Sequence, residues 1–225
     1  MSLMEITPIA TFHSPFKEKF GIPRQSGIVS ALEGTIVLEP QFRNPDSLRG
    51  LDEFDYIWLI WEFSANKHAA ASPTVRPPRL GGNTRIGVFA TRSPYRHNAL
   101  GLSAVRLTRV ELTTQQGPVI HVAGADLMDG TPIYDIKPYV AYADAHPEAR
   151  SGFVDSNDWQ QLDVNIPDEV AQQFLPKQLD ALRQTLALDP RPHYHDDPAK
   201  VYGMRFAGHD IHFTVDGNTL KVITL

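Results

Sequence analysis

Residues 54–63 read FDYIWLIWEF, which is the strongest β-strand pattern in the chain. The Ile, Trp, Tyr and Phe that dominate it favour extended backbone on a half-buried pleated surface. The run is also far shorter than the roughly 20 apolar residues that span a bilayer. We therefore predict a strand over Phe54–Phe63, which carries Trp58, Trp61 and Phe63 either into a core or toward a partner.

Shorter strand patterns lie on both sides of this run, each bounded by turn residues such as Pro, Gly and Asp. They are Ile6–Phe12, Gly34–Leu38, Ile86–Thr91, Leu102–Leu112, Val119–Ala123 and Ile133–Ile136. Many short strands without long helices between them are typical of antiparallel barrels and sandwiches. The pattern therefore predicts a mainly β domain over residues 1–145.

The pattern changes after a polar segment, Asp144–Gly152, which we interpret as a linker. Asp168–Leu188 has apolar residues at helical spacing, and Pro176 is expected to split it into two pieces. Three strand patterns follow, with a hairpin turn between the last two. They are Val201–Phe206, Ile211–Val215 and Leu220–Leu225. We expect residues 146–225 to form a small α+β C-terminal domain.

The composition excludes several classes of chemistry. The chain has 225 residues, no cysteine and a net charge of −5. It therefore has no disulfide, thiolate zinc site, iron–sulfur cluster or cysteine nucleophile, which fits a reducing, cytoplasmic compartment. The N-terminus lacks the basic and apolar regions of a signal peptide. Neither a glycine-rich dinucleotide fingerprint nor a P-loop motif occurs, so the sequence does not favour a Rossmann or P-loop protein.

The charge is distributed unevenly along the chain. From Phe63 to Val110 there is no Asp or Glu, whereas Lys67 and seven arginines give this segment a charge of +8. The arginines are Arg76, Arg79, Arg85, Arg92, Arg96, Arg106 and Arg109. Arginine suits bidentate phosphate and carboxylate contacts. The segment predicts an anion-binding face, with ion pairing to carboxylates elsewhere in the fold as the alternative.

Three carboxylates, Asp126, Asp129 and Asp135, surround a Gly-Thr-Pro turn at residues 130–132. Their spacing leaves open a divalent-metal site, recognition of a ligand's hydroxyl, amide or ammonium groups, or turn capping by Asp side chains. The densest histidine cluster, His193 and His195, has no second matched pair of ligands. We expect it to be solvent-exposed, so no metal site is assigned.

Five motifs in register resemble one family. They are Pro23-Arg24-Gln25, VRPPRLGGN at residues 75–83, GVFATRS at 87–93, Asn98 with Gly101-Leu102-Ser103, and DLMDGTPIYDIKPY at 126–139. The order and spacing of these motifs are similar to those of the TsaA-like (TrmO) tRNA methyltransferases. DPRP at residues 189–192, followed by Tyr194 and the terminal strands, resembles the C-terminal domain of the bacterial members.

The resemblance implies a small antiparallel β-barrel methyltransferase rather than a Rossmann fold. It implies S-adenosylmethionine as cofactor and the N6 nitrogen of threonylcarbamoyladenosine as acceptor, at position 37 of a threonine tRNA. Partners would be the tRNA anticodon stem-loop and a second copy of the chain, with no membrane. A metal-dependent phosphohydrolase built on Asp126, Asp129 and Asp135, or a non-catalytic RNA-binding barrel, remains the alternative.

The resemblance also implies site residues. The cofactor positions are Pro23, Arg24, Gln25, Ser64, Ala65, Arg92, Leu102, Asp126, Leu127, Met128 and Asp129. Ser64 and Ala65 stand where some members carry His and Gln. Asp126 or Asp129 would orient the cofactor, and Arg92 would stabilise negative charge on the substrate, so these are the candidate catalytic residues. Substrate contacts are assigned to Arg76, Arg79, Arg96, Asn98, Lys137, Tyr139 and Arg191.

Overall fold

The computed structural model describes residues 5–66, 72–80, 83–155, 160–192 and 197–225. Its N-terminal part is a closed six-stranded antiparallel barrel with the strand order β1-β2-β7-β6-β3-β8. The strands are β1 (Ala10–His13), β2 (Glu33–Leu38), β3 (Tyr56–Glu62), β6 (Leu100–Glu111), β7 (Val119–Ala123) and β8 (Thr131–Pro138). A pair, β4 (Thr74–Val75) and β5 (Ile86–Gly87), lies outside the barrel.

The interior of the barrel follows directly from side-chain alternation along the strands. In β3, Ile57, Leu59 and Trp61 are buried, whereas the side chains between them point outward. The antiparallel barrel predicted for the N-terminal part is therefore confirmed. Of the aromatic residues on this strand, Trp61 faces the core, and Trp58 packs outside it, where its indole nitrogen donates to Asp144 at 3.0 Å.

The C-terminal part contains short helices and a second sheet. Its helices are α2 (Asp168–Ala171) and α3 (Pro176–Ala187), whereas the one-turn helix α1 (Ala141–Asp144) still belongs to the barrel sequence after β8. The strands are β9 (Asp163–Asn165), β10 (Tyr202–Phe206), β11 (His209–Asp216) and β12 (Thr219–Thr224). The sheet order is β10-β11-β12-β9. The predicted meander and the helix break at Pro176 are confirmed. β9, which adds to β12 in parallel, was not predicted.

Short 3-10 turns connect the strands. They span Pro40–Phe42, Pro45–Leu48, Leu51–Glu53, Pro78–Leu80, Val88–Ala90 and Gly152–Val154. The strand predicted over Ile86–Thr91 is wrong beyond Gly87, where the chain enters a 3-10 turn. Its partner β4 is only two residues long, because Pro73 and Pro77 on either side of it lack the N–H group that a ladder requires.

The linker predicted over Asp144–Gly152 is wrong at its first residue. Asp144 ends α1, and its Oδ2 accepts hydrogen bonds from Trp58 and from the backbone N–H of Val140, the latter at 2.8 Å. The backbone bond, followed by the indole bond, lowers the pKa of Asp144. The carboxylate therefore attaches the end of the barrel sequence to the outer face of β3.

The core of the second sheet includes residues from the start of the chain. Phe16, Val29 and Leu32, which lie between β1 and β2, are buried among α3 and β10–β12. The Phe16 ring meets the Phe206 ring edge-on at 5.2 Å, and the Ala207 N–H donates to the Pro15 carbonyl at 3.0 Å. The segment that connects β1 to β2 is thus shared between the barrel and the C-terminal sheet.

Candidate active site

The candidate site lies at the end of the barrel where β3 ends and β6 begins. Glu62 pairs with Leu100 across these strands, and the Phe63 N–H donates to the Ala99 carbonyl at 2.8 Å. Ser64 and Ala65 follow directly, and Leu102 lies two residues into β6 with 57% of its surface exposed. Strand pairing therefore places these three sequence-predicted positions at one end of the barrel.

Asp126 joins this end from the loop between β7 and β8. Its Oδ1 accepts a hydrogen bond from the Ser103 hydroxyl at 2.6 Å, and the backbone N–H of Ser26 also donates to the carboxylate. The segment that contains Ser26 is held close because the Gly27 N–H donates to the Gly124 carbonyl at 2.7 Å. Asp126 thus links the Pro23-Arg24-Gln25 motif to β6.

Gly124 is required for this approach. Its φ is +77°, in the left-handed region that favours glycine, and a Cβ there would lie 3.4 Å from both N and Cα of Gly27. A side chain at position 124 would therefore strain the backbone at the point where it meets the loop that follows the 23–25 motif.

Arg92 approaches the same site from the long loop before β6. Its Nη1 donates to Gln25 Oε1 at 2.5 Å, and its positive charge acts on the Asp126 carboxylate. The guanidinium itself is exposed. A cation held by the Gln25 amide and an anion held by the Ser103 hydroxyl therefore act on each other electrostatically at this end of the barrel.

The pKa of Asp126 is raised, because burial of the carboxyl group disfavours its charged form. Hydrogen bonds from Ser103, from the backbone N–H of Asp126 itself and from Ser26 act in the opposite direction, as does the charge of Arg92. These groups offset the burial only in part. Perturbed carboxyl groups at the mouth of a barrel are candidates for functional sites.

Asp129 lies in the same loop but faces different partners. Its carboxylate accepts hydrogen bonds from Lys17 Nζ at 2.5 Å and from the Ser14 N–H at 3.1 Å, and it contacts His13 Nδ1 at 3.3 Å. Burial alone would raise the pKa of Asp129, but the bonds from Lys17 and Ser14, with the charge of Lys17, lower it on balance. The structure therefore does not place the Asp129 carboxylate beside Arg92.

The remaining cofactor positions differ in exposure. Leu127 is only 1% exposed and belongs to the barrel core, and Pro23 is buried. The Met128 carbonyl accepts from both the backbone N–H and the hydroxyl of Thr131, at 3.2 and 2.7 Å. Arg24 is exposed. At Leu127 the side chain is committed to packing, so only its backbone is available to a ligand.

Two predicted substrate residues lie toward the opposite end of the barrel. Lys137 pairs with Asp135 at 2.9 Å and is the β8 neighbour of Trp58. The Tyr139 ring packs against Trp58 and Tyr56, with ring centroids 5.6 and 6.1 Å apart. Trp58 is separated from Glu62 by roughly 13 Å of strand at about 3.3 Å per residue. Lys137 and Tyr139 are therefore not part of the Arg92–Asp126 cluster.

The other predicted substrate residues have varied surroundings. Arg96 Nη1 donates to the Thr91 carbonyl at 3.1 Å, which closes its own loop. Arg191 forms a two-pronged contact with Asp189 at 2.8 and 2.9 Å. Arg76 and Asn98 are exposed. The side chain of Arg79, together with Lys67, His193 and His195, lies outside the described part of the structure.

The acid-free segment does not form one continuous face among the described residues. Arg92 and Arg96 lie near the mouth of the barrel, whereas Arg109 near the end of β6 pairs with Glu111 at 3.0 Å. The alternative of pairing elsewhere in the fold thus holds for Arg109. Ser103 and Trp61 also belong to the site and were not predicted, although Ser103 is the last residue of the Gly101-Leu102-Ser103 motif.

The three aspartates do not gather around a common point. Asp126 binds Ser103, Asp129 binds Lys17, and Asp135 pairs with Lys137. In the described ranges, no group of three or more potential metal-ligating side chains occurs. Likewise, none of the described helices has the length and hydropathy needed to span a bilayer.

The fold is that of a small closed antiparallel β-barrel, not a Rossmann sheet, and Arg92 and Asp126 make one end of it a candidate ligand site. The sequence model of the tRNA-methyltransferase O N-terminal domain matches residues 11–145, and that of the TrmO C-terminal domain matches residues 159–225. The chain therefore belongs to the TrmO family.

Relatives and a solved structure agree with this family. A tRNA (adenine(37)-N6)-methyltransferase of Escherichia coli is 36% identical over 100% of this chain and 99% of its own length. The human protein of the same name is 36% identical over 83% of this chain and 41% of its own length. The crystal structure of TrmO from Pseudomonas aeruginosa has a TM-score of 0.78 and 32% identity, covering 99% of this chain and 98% of the solved one.

Proposed function

We propose that this protein transfers a methyl group from S-adenosylmethionine to the N6 nitrogen of adenine 37 in tRNA. The acceptor that the family resemblance implies is threonylcarbamoyladenosine in a threonine tRNA. The observation that supports the proposal most directly is that Arg92 and Asp126 lie at the same end of the barrel, where Gln25 holds the guanidinium and Ser26 and Ser103 hold the carboxylate.

The chemistry of these side chains fits the cofactor. The amino-acid end of S-adenosylmethionine carries an ammonium and a carboxylate, and a neighbouring anion and cation complement these two charges. The carboxylate of Asp126 suits the ammonium group, and the guanidinium of Arg92 suits a carboxylate. Gln25, Leu102 and the backbone of residues 126–128 complete the proposed cradle. When bound, the cofactor supplies a methyl group activated by its sulfonium.

The main contribution of the protein's own residues is orientation. Holding two reactants in line can supply roughly 7–11 kcal/mol of barrier reduction. The acceptor nitrogen is a weak nucleophile because its lone pair is delocalised into the purine ring and a carbonyl group. The exposed guanidinium of Arg92 would stabilise negative charge that develops on this side of the substrate as the nitrogen loses its proton.

The partners proposed are tRNA and a second copy of the chain, within the cytoplasm. The exposed Arg76 of the acid-free segment would meet phosphates of the anticodon stem-loop. The outer surface of β6 exposes Leu100 and Leu102 to 37% and 57%, which supports a protein interface next to the cofactor site.

A metal-dependent phosphohydrolase receives no comparable support, because Asp126, Asp129 and Asp135 bind separate partners in the structure. A non-catalytic RNA-binding barrel differs from the proposal in one measurable respect, which is the binding of the cofactor.

The proposal is tested by thermal unfolding with S-adenosylmethionine and S-adenosylhomocysteine. Each ligand should raise the melting temperature, because it binds only the native state. Methyl transfer is then measured on threonine tRNA with and without the threonylcarbamoyl group, and only the modified tRNA should accept methyl. Absence of any shift at saturating ligand would contradict the proposal, as would unchanged turnover of Arg92→Ala at saturating tRNA and cofactor.

A further inference from the structure

A chain of two hydrogen bonds connects the barrel core to Asp126. The indole Nε1 of Trp61 donates to Ser103 Oγ at 3.0 Å, and Ser103 Oγ donates to Asp126 Oδ1 at 2.6 Å. Trp61 is 6% exposed and Ser103 is 1% exposed. Both groups are therefore removed from water, which would otherwise compete for these bonds.

The chemistry of the three side chains gives this chain a direction. An indole N–H can only donate, so Ser103 Oγ accepts from Trp61. The single hydroxyl proton of Ser103 then points to Asp126, whose Oδ1 accepts it. Hydrogen bonds to an ionised acceptor are stronger than neutral ones, so this arrangement favours the carboxylate form of Asp126.

Gly101 creates the space that this chain needs. Trp61 and Gly101 are paired across β3 and β6, and a Cβ at position 101 would lie 2.3 Å from Cε2 of the indole. The Phe63 ring meets the Trp61 ring system edge-on, with centroids 4.3 Å apart. The indole is thus held across β6 in the position from which its N–H reaches Ser103.

Few other groups act on the Asp126 carboxylate. From the loop before β6 comes the charge of Arg92, and from Asp126 itself comes a backbone hydrogen bond, both of which favour the ionised form. From β6 comes the Ser103 hydroxyl, and from the segment before β2 comes the Ser26 N–H. Burial opposes all of them by favouring the neutral acid. Loss of the Ser103 hydrogen bond would therefore raise the pKa of Asp126 further.

We infer that Trp61 and Ser103 are positioning residues, which hold Asp126 as an oriented carboxylate facing the ammonium end of the cofactor. The inference rests on the proposed function. Neither residue would touch the reacting atoms, because both lie beneath the carboxylate, inside the barrel. The first and last positions of the Gly101-Leu102-Ser103 motif then have a physical reason. Gly101 leaves space for the Trp61 indole, and the Ser103 hydroxyl accepts from that indole and donates to Asp126.

The test compares Ser103→Ala and Trp61→Phe with the parent protein and with Ser103→Thr, which keeps the hydroxyl. Binding of S-adenosylhomocysteine is measured by calorimetry from acid to mildly alkaline pH, so that a change in the ionisation of Asp126 is seen as a change in affinity. Since a hydrogen bond to a charged group is lost, Ser103→Ala should bind about tenfold more weakly at the acid end. The loss should shrink toward the alkaline end, and Ser103→Thr should restore most of the affinity.

A second readout needs no ligand. A carbon NMR titration of the Asp126 carboxyl in the ligand-free protein should show its ionisation moved to higher pH in Ser103→Ala. In Trp61→Phe the ionisation of Asp126 should shift to higher pH by a smaller amount. The Ser103 hydroxyl remains in this variant, but without the indole N–H its proton is no longer oriented toward Asp126. Trp61→Phe also serves as the test variant if Ser103→Ala does not fold.

The outcomes separate the two proposals. If the parent protein binds no S-adenosylhomocysteine, the proposed function fails. If the parent binds it while Ser103→Ala shows an unchanged profile, or an equal loss at every pH together with an unmoved titration, the positioning role is overturned. Such a result would mean that Ser103 serves only to satisfy the indole N–H.

Discussion

Asp126 and Asp129 belong to one loop of the barrel, yet their carboxylates have opposite surroundings. Asp126 is turned toward the barrel core and Arg92, and burial raises its pKa. Asp129 is turned toward the end of β1, where burial is outweighed by hydrogen bonds from Lys17 and Ser14, so its pKa is lowered. Folding therefore disfavours the charged form of Asp126 and favours the charged form of Asp129.

The difference indicates a division of labour within the loop. The backbone N–H of Asp129 donates to the Phe16 carbonyl at 2.8 Å, and the Phe16 side chain lies in the core of the C-terminal sheet. Asp129 therefore anchors the loop to the segment shared with that sheet, whereas Asp126 presents its charge to the mouth of the barrel. Groups that are costly to keep charged, such as Asp126, are typical of functional sites, whereas groups with satisfied partners, such as Asp129, stabilise folds.

The largest expected effect separates the two residues by activity. Asp126→Asn removes the negative charge that would face a cationic group of the cofactor, so methyl transfer should fall about 100-fold or more. Asp129→Asn should retain activity to within a few-fold. The measurement is the initial rate of methyl incorporation into modified tRNA. Equal losses in the two variants would break the comparison.

For stability the order should reverse, with Asp129→Asn the more damaging of the two substitutions. Asp129→Asn weakens charge-assisted bonds, and because Lys17 is 63% exposed the loss is modest, about 1 kcal/mol. That corresponds to roughly 2–4 °C in melting temperature for a chain of this size. Asp126→Asn should leave the melting temperature unchanged or raise it, because a carboxylate whose charge is penalised by burial is replaced by a neutral amide. A lower melting temperature for Asp126→Asn than for Asp129→Asn would contradict this assignment.

The pH dependence of stability sharpens the same comparison. The pKa of Asp129 is lowered on folding, so its contribution is present above the ordinary value of 3.8 and is lost as the pH falls through the folded-state pKa. The pKa of Asp126 is raised, so its penalty is present above the folded-state pKa and is relieved as the pH falls through it. Denaturant unfolding across the acid range should therefore show Asp129→Asn converging with the parent at low pH. A difference that persists there would indicate a purely steric effect.

The smallest effect is expected from the ion pair alone. Lys17→Met removes the exposed ammonium but leaves the Ser14 N–H on the Asp129 carboxylate, so the free energy of unfolding should fall by about 0.5 kcal/mol. In high salt the difference between Lys17→Met and the parent should disappear, because salt screens the exposed ion pair of the parent. Circular dichroism melts at low and high salt provide the measurement. If Lys17→Met lowers the free energy of unfolding more than Asp129→Asn does, packing of the lysine stem contributes more than its charge.

Local patterns were sufficient for most of the fold. The alternation of residues 54–63, the Val119–Ala123 strand and the break at Pro176 are visible in the chain because each depends on neighbouring residues. β9 was missed because a three-residue strand at a sheet edge has little periodicity, and it exists only through its pairing with β12. The strand predicted beyond Gly87 failed for the converse reason, since among the described residues the pairing of β5 with β4 stops at Gly87 and Thr74.

The site was predictable to a lesser degree. Motif resemblance named Gln25, Arg92 and Asp126, which the structure brings together. It gave Asp126 and Asp129 the same role, because a sequence lists both carboxylates but not the direction in which each points. Ser103 and Trp61 are 42 residues apart, and only the pairing of β3 with β6 makes them neighbours.

The amino-acid sequence alone determined the class of fold, the absence of thiol chemistry and the set of charged residues available to a site. Alternation, turn residues and composition carry that information locally, residue by residue. The tertiary structure decided which of two similar aspartates is buried against the Ser103 hydroxyl and which pairs with Lys17. Burial and charge partners depend on distant segments that meet only in the closed barrel, and they determine what a carboxylate does.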